Sequence, residues 1–373
     1  MPYAHITGWG VAIPEKILTN DEIAQMVETS DEWIRSRTGI EQRRIAAPDE
    51  STASLAAQAA LNALEVANIS PADVDLIIVS TSSPEHLFPA TAALVQDQIG
   101  AVKAGAFDLS AACTGFIYAM NMGAQAIRTG SIKIVLVIGS ETLSRLTDWE
   151  DRNTCILFGD GAGAFVLQAS ERPGGLLSAV LRSDGSGGDL LSVPAGGSKT
   201  PASEETVQNR LHFIQMNGRE VFRFATRVMT QATREATKLA GLEMEEITWI
   251  IPHQANRRII ETAARNLKLP LDQFIINLER FGNTSTASIP LATVEAIEKG
   301  RIHAGDKIVF VGFGAGLTWG AVAVEWSGPL AETEAPLVWP YRLERLYSVY
   351  ARFRSAILRV IRSIEGFIWG RKE

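Results

Sequence analysis

Residues 63–80 read ALEVANISPADVDLIIVS, and residues 236–253 read ATKLAGLEMEEITWIIPH. Set one above the other, a small-residue helix, a turn and an apolar strand coincide at a shift of 173 positions, and Ser80 falls opposite His253. Two more pairs follow in order. GAQAIRTG (123–130) matches TVEAIEKG (293–300) at a shift of 170, both closing on a glycine that stops a helix. KIVLV (133–137) matches KIVFV (307–311) at a shift of 174. The helix match puts Cys113 opposite Asn283. Ordered matches at a nearly constant shift describe a duplicated chain. Its halves are residues 1–172 and 173–330, followed by a tail at 331–373.

Around these matches, Leu76–Ser80, Ile134–Ile138, Ala164–Leu167, Trp249–Ile251 and Ile308–Val311 read as buried strands, and Ala53–Ala67 and Thr230–Ala240 as helices. The alternation predicts an α/β fold with parallel sheets covered by helices. The Gly/Ser-rich stretch 183–205 reads as a long surface excursion. Ile308–Val324 carries four glycines and reads as buried strands around a turn, not as a membrane span. A chain of 373 residues, 46% hydrophobic and 21% charged, buries a core and excludes global disorder. Its net charge of −7 argues against a nucleic-acid partner. Two cysteines and five scattered histidines offer neither a disulfide framework nor a zinc cluster. The opening MPYAHITGWGVAIP lacks the basic and apolar regions of a secretory leader, so a cytoplasmic protein is expected.

Chemistry gathers at strand ends. In FDLSAACTGF (107–116) a strand runs into small residues, then Cys113, then a helix. A helix N-terminus stabilises a thiolate by about 1 kcal/mol, which predicts a Cys113 pKa roughly one unit below ~8.5. The plainer reading is a buried, inert thiol, which is also the reading for Cys155. His253 follows the strand WIIP, where α/β folds carry reactive groups, and a structural histidine fits there equally well. Asn283, in RFGNTSTASIP, sits at a corresponding strand-to-helix turn. Neither FGDGAGA (158–164) nor GFGAGLTWG (312–320) is a nucleotide loop, because each leads into a strand and not into a helix.

These blocks resemble β-ketoacyl-acyl-carrier-protein synthase III, the condensing enzyme that begins type II fatty-acid synthesis, within the thiolase-like superfamily. The resemblance spans about residues 3–327. It rests on TNDEIAQMVETSDEWIRSRTGI (19–40), SAACTGF (110–116), DRNTCILFGDGAGA (151–164), IIPHQANRR (250–258), GNTSTASIP (282–290) and GFGAGLTWG (312–320). It implies a five-layered αβαβα fold of two duplicated halves, and a homodimer. It further implies that Cys113 takes the acyl group of an acyl-CoA, that malonyl-acyl-carrier protein then loses CO₂, and that neutral His253 and Asn283 donate to the resulting enolate. The backbone N–H groups of Cys113 and Ala315 form the second oxyanion hole, Ala315 standing where the family often has glycine. Trp33 and Arg152 flank the CoA adenine with Arg37 near the nucleotide, Arg223 and Arg258 dock the carrier protein, and Phe88 reaches the partner's acyl pocket. No metal or resident cofactor is implied. Without the resemblance, Trp33 is a half-buried anchor, Arg37, Arg223 and Arg258 are solvated charges, and Phe88 is core.

Other readings stay open at this level. One is a Cys-His-Asn hydrolase, with His253 as base and Asn283 as its orienter. Another is a condensing enzyme of secondary or long-chain metabolism, and a third is a non-catalytic body recruited through its tail. Residues 339–373 hold eight basic and three acidic residues, a net +5, which leaves −12 on residues 1–338. There, Leu343, Leu346, Tyr350, Phe353, Ile357, Val360, Ile364 and Phe367 recur at steps of three and four, bracketed by Trp339 and Trp369. The pattern predicts an amphipathic helix over 341–369. It reads either as a peripheral contact with the inner membrane face or as packing on the acidic body or a twin helix.

Overall fold

A computed structural model of the chain describes residues 1–329 and, beyond them, 350, 353, 354, 357, 358, 360 and 361. The main strands are β1 (Tyr3–Ala12), β2 (Leu76–Ser80), β3 (Gly105–Leu109), β4 (Ile134–Glu141), β5 (Gly161–Ser170), β6 (Gly175–Ser183), β7 (Trp249–Pro252), β8 (Lys307–Gly314) and β9 (Thr318–Glu325). They form one sheet of order β1-β5-β4-β2-β3 and a second of order β7-β8-β9-β6. The longer helices are α1 (Asp31–Thr38), α2 (Thr52–Ala67), α3 (Thr91–Ile99), α4 (Gly115–Arg128), α5 (Gly218–Leu239), α6 (Arg257–Leu267) and α7 (Ser288–Glu298).

Strand periodicity sorts the side chains into layers. Along β4, Ile134, Leu136 and Ile138 join α2 and α3 in one buried cluster, while Val135 and Val137 point the other way. Along β8, Val309 and Val311 face α5 and α6, while Ile308 and Phe310 face inward. The inward faces of both sheets close on α4 and α7. Helices, sheet, helices, sheet, helices: the layering is αβαβα. Phe116 of α4 meets Phe165 of the first sheet edge-on with centroids 5.1 Å apart, and Phe165 lies 6.0 Å from Phe310 of the second. Such pairs contribute roughly 0.5–1.5 kcal/mol each beyond area burial.

The sheets are mixed, not parallel as expected. β2 runs parallel to β3 and β4, and β7 to β8, but β5 and β9 return antiparallel to their neighbours. The turn at residues 315–317 makes β8 and β9 a hairpin, which only an antiparallel pair permits. The helix expected at Thr230–Ala240 begins earlier, at Gly218, where the Asn217 side chain accepts the Glu220 N–H as N-cap.

Pairing also corrects the repeat. Leu76 lies opposite Val135 and Trp249 opposite Ile308, so the shift stays 173 from strand to strand. A shift of 174 would equate Val135 with Val309, which face opposite sides of their sheets. Helices α4 and α7 begin 173 residues apart, but α7 has 11 residues against 14, so only their ends differ by 170. The short 3₁₀ turns before them, Ala112–Thr114 and Ser285–Ala287, both open on a residue with positive φ, 47° at Ala112 and 46° at Ser285. Cys113 therefore corresponds to Thr286, and Asn283 to Ser110.

These turns pack against the opposite half through strand glycines. A Cβ on Gly139 of β4 would lie 2.2 Å from the Thr286 carbonyl oxygen, and one on Gly314 of β8 would lie 2.7 Å from the Cys113 nitrogen. Gly139→Ala is expected to cost about 1–3 kcal/mol by overpacking, read as a lower denaturant midpoint. Gly185→Ala, with nothing within 4 Å, is the near-neutral control.

Candidate active site

Cys113 sits in the turn between β3 and α4, with its backbone nitrogen against Gly314. The Ser285 hydroxyl donates to its sulfur over 3.3 Å. Burial pushes the thiol up to about 12, the nearby Glu141 carboxylate adds to the rise, and the Ser285 hydrogen bond opposes it. The sequence expectation of a lowered pKa is thus reversed. Desolvation of the buried thiolate outweighs what a helix terminus returns.

His253 follows β7, where its backbone N–H donates to the Val311 carbonyl over 2.8 Å. Its ring meets Phe313 edge-on with centroids 5.3 Å apart, and Nδ1 lies 2.7 Å from the Ser288 hydroxyl. Burial alone lowers its pKa to about 3, so the imidazole is neutral at physiological pH. Gly312 lies close to both His253 and the Cys113 turn. A Cβ there would stand 3.5 Å from the His253 Cβ and 3.8 Å from the Cys113 oxygen.

Asn283 is fixed by its backbone to the first half: its N–H donates to Leu157 and its carbonyl accepts from Gly159, at 2.8 and 3.0 Å. Its side-chain Oδ1 accepts the Ser285 N–H over 2.9 Å. Asn283 Oδ1 is thereby engaged as an acceptor, and His253 Nδ1 is hydrogen-bonded to Ser288. Among the described residues, nothing accepts from His253 Nε2 or Asn283 Nδ2.

Cys113, Ser285 and Ala315 border a cavity of about 270 Å³ whose apolar wall includes Leu143, Phe158 and Leu191. Ala315 takes no positive φ, so alanine is accommodated there without backbone strain. Leu191 belongs to the stretch read as a surface excursion, and the stretch does run along the surface, with only Gly187 and Ala195 buried in it, while its middle also borders the cavity. Asp184 and Leu317 exchange backbone hydrogen bonds, and Leu191–Ser192 pairs with Gln215–Met216, which folds the stretch onto the cavity. Sequence reasoning also passed over Ser285 and Ser288. Both stand in the quoted GNTSTASIP, but only their contacts distinguish them from ordinary helix-start serines.

The remaining candidates lie apart from this centre. Trp33 on α1 is half-buried, with the Arg152 guanidinium 4.6 Å and that of Arg37 5.5 Å from its ring centroid. Arg223 on α5 is exposed and paired with Glu220, and Arg258 on α6 lies over Phe222 at 5.7 Å. Phe88 is 85% exposed beside the 84% exposed Leu87, which corrects the plain reading of Phe88 as core. Their loop borders a second cavity of about 440 Å³ that shares Ser82, Leu146 and Val193 with the first.

Models of 3-oxoacyl-[acyl-carrier-protein (ACP)] synthase III match residues 107–185 and, for its C-terminal part, residues 237–326. The beta-ketoacyl-[acyl-carrier-protein] synthase III of Symbiobacterium thermophilum is 53% identical over 321 residues, 86% of this chain and 97% of the relative. The chain belongs to this family. The enzyme of the same name from Caldanaerobacter subterraneus is likewise 53% identical, over 87% of this chain and 98% of its own. The crystal structure of 3-oxoacyl-[acyl-carrier-protein] synthase III from Aquifex aeolicus superposes with a TM-score of 0.80 at 46% identity, covering 87% of this chain and 100% of that one. The fold is thiolase-like, and the protein is a condensing acyltransferase of fatty-acid biosynthesis. Its reaction joins an acyl-CoA to malonyl-acyl-carrier protein.

The buried thiol makes one prediction for the resting enzyme. Alkylation of Cys113 by neutral iodoacetamide should keep accelerating up to at least pH 10, because the thiolate fraction is still rising there. A plateau near pH 7.5, read from rates at graded pH, would instead mark a helix-stabilised thiolate.

Proposed function

We propose that Cys113, His253 and Asn283 divide the condensation between them. The Cys113 sulfur adds to the acyl-CoA carbonyl and CoA departs with the proton, leaving an acyl-enzyme. Malonyl-acyl-carrier protein then loses CO₂, and the enolate so formed attacks the acyl carbonyl, returning the sulfur as leaving group. His253 Nε2–H and Asn283 Nδ2–H stabilise the enolate oxygen, while the N–H groups of Cys113 and Ala315 receive the acyl oxygen.

The observation that carries this reading is where the two acceptor atoms are spent. In a Cys-His-Asn hydrolase the asparagine oxygen orients the histidine. Here Asn283 Oδ1 accepts from Ser285, and His253 Nδ1 contacts Ser288. Asn283 Nδ2 and His253 Nε2 are the atoms left without a partner among the described residues, and Asn283 is not turned to orient the histidine. His253→Ala and Asn283→Ala should still be acylated at Cys113 but lose malonyl decarboxylation by ~10²–10³, measured by mass spectrometry and CO₂ release. Equal loss of acylation in His253→Ala would make His253 the thiol's base. Cys113→Ser should abolish acyl transfer and Cys155→Ser should retain it, Cys155 being buried away from the cavity.

The same reading assigns CoA to Trp33, Arg37 and Arg152, whose indole and guanidinium planes suit a purine. It assigns the acidic carrier protein to Arg223 and Arg258, and the chain's repeated halves to 1–172 and 173–330. Two large apolar side chains held in water at Leu87 and Phe88 support a homodimer in which Phe88 enters the partner's acyl pocket.

For the tail we propose peripheral contact of a cytoplasmic enzyme with an anionic membrane through residues 341–369. Phe353, Ile357 and Val360 are helical and exposed, which supports a partner outside the body. Leu343, Leu346, Ile364, Phe367, Trp339 and Trp369 lie outside the described residues. No described helix is long and apolar enough to cross a membrane. Full-length protein should co-sediment with anionic liposomes, and a chain truncated after Ala335 should not. Equal, negligible binding by both would reject the contact, and a changed oligomeric state on truncation would favour packing against a twin helix.

A further inference from the structure

A neutral imidazole has one proton and two nitrogens, and only the Nε2–H form of His253 has its donor free. The Nδ1–H form would spend the proton on Ser288 and present a lone pair to the enolate, which is repulsive. Something must hold the proton on Nε2. Burial keeps the ring neutral but does not choose between its nitrogens.

The contacts of Ser288 make that choice. Its hydroxyl oxygen lies 2.7 Å from His253 Nδ1 and 3.3 Å from the backbone nitrogen of Gln254. The Gln254 N–H has no acceptor role, so it donates, and one lone pair of the hydroxyl is used. The hydroxyl proton then needs an acceptor. Hydroxyls on helices commonly return to the carbonyl four residues back, as Thr293 does to Ile289 over 2.8 Å in this same helix. Ser288 makes no such bond among the described residues. Its acceptor is His253 Nδ1. The side chain is 1% exposed, so water offers no alternative.

We propose that Ser288 is a positioning residue that sets the tautomer of His253: its hydroxyl donates to Nδ1 and so keeps the proton on Nε2. The Gln254 N–H enforces the direction, because a His253 Nδ1–H pointed at the same oxygen would leave the hydroxyl proton a buried donor with no acceptor. A preference of 1.4 kcal/mol corresponds to tenfold between tautomers. Ser285 does the matching service for Asn283, where a backbone N–H on Oδ1 turns the amide so that Nδ2 is free. The turn 283–288 thus orients both donors from their acceptor sides.

The proposal rests on His253 being the enolate's donor, but the tautomer is measurable without turnover. Nitrogen-15 spectra of the full-length, histidine-labelled protein near pH 7 should give His253 an Nε2–H, Nδ1-acceptor pair of shifts. In Ser288→Ala the pair should move toward the other tautomer or an average. The ratio of malonyl decarboxylation to Cys113 acylation should fall roughly tenfold or more, short of the ~10²–10³ for loss of the donor itself. Ser288→Thr, which keeps the hydroxyl, should restore both readouts. An Nδ1–H His253 in the unsubstituted protein overturns the proposal, as does a Ser288→Ala protein with tautomer and ratio unchanged. If Ser288→Ala does not fold, the spectrum of the unsubstituted protein and of Ser288→Thr still decides. An Nε2–H tautomer alongside a fully condensing His253→Ala would leave this assignment standing and remove the donor role instead.

Discussion

The turn that carries Cys113 lies against a strand that can have no side chain at the point of contact. Gly314 approaches the Cys113 nitrogen, Gly312 lies between that turn and His253, and Gly139 approaches Thr286 from the other half. This mutual close approach of two turns and two strands is the constraint on which the site depends. It demands glycine in both central strands, positive φ at Ala112 and Ser285, and small residues throughout SAACTG and NTSTAS. In return it brings the Cys113 turn against the strand that leads past His253 and sets Ser285, two residues after Asn283, on the Cys113 sulfur.

Such closeness excludes water, and exclusion of water fixes the protonation states. Cys113 and His253 are both driven neutral, and no hydrogen bond joins them among the described residues. A thiolate–imidazolium pair, the resting state of many cysteine hydrolases, is disfavoured twice over. A neutral imidazole is what the donor role proposed for His253 requires. Nearby, the buried Glu141 carboxyl group, its pKa raised by burial, is hydrogen-bonded by Ser83, Thr286 and the Ser82 N–H. It ties the loop after β2 to the turn after Asn283, and thereby the two halves to each other.

How much was legible in the sequence followed from what kind of force decided each element. Strand Leu76–Ser80 was read to the residue, because a short apolar run between turn residues is a local signal. The repeat was legible, but its register was not: small apolar residues match equally well one place to either side, and only backbone pairing shows that 173 holds throughout. Helix α5 was caught from Thr230 because its first three turns carry arginines and Phe222 in an order that local pattern does not separate from a loop. Of the site, Cys113, His253 and Asn283 stood out as reactive types at strand ends, whereas Ser285 and Ser288 did not, since a serine near a helix start has an ordinary capping explanation. The thiol's pKa was misjudged for the same reason. A helix terminus is visible in sequence, and complete desolvation is not.

The corrected register also explains why a duplicated fold yields an asymmetric catalyst. Position for position, Ser80 stands where the second half has His253, Ser110 where it has Asn283, Cys113 where it has Thr286, and Glu141 where it has Gly314. Corresponding turns of the two halves therefore carry different side chains, a thiol at 113 in the first and an imidazole at 253 and an amide at 283 in the second. The turns at 113 and 286 meet the opposite half where the glycines of β8 and β4 leave room for their backbones. In NTSTAS the Ser285 N–H meets Asn283 Oδ1 and the Ser288 hydroxyl meets His253 Nδ1, whereas SAACTG is built of small residues and sets the Cys113 nitrogen against Gly314.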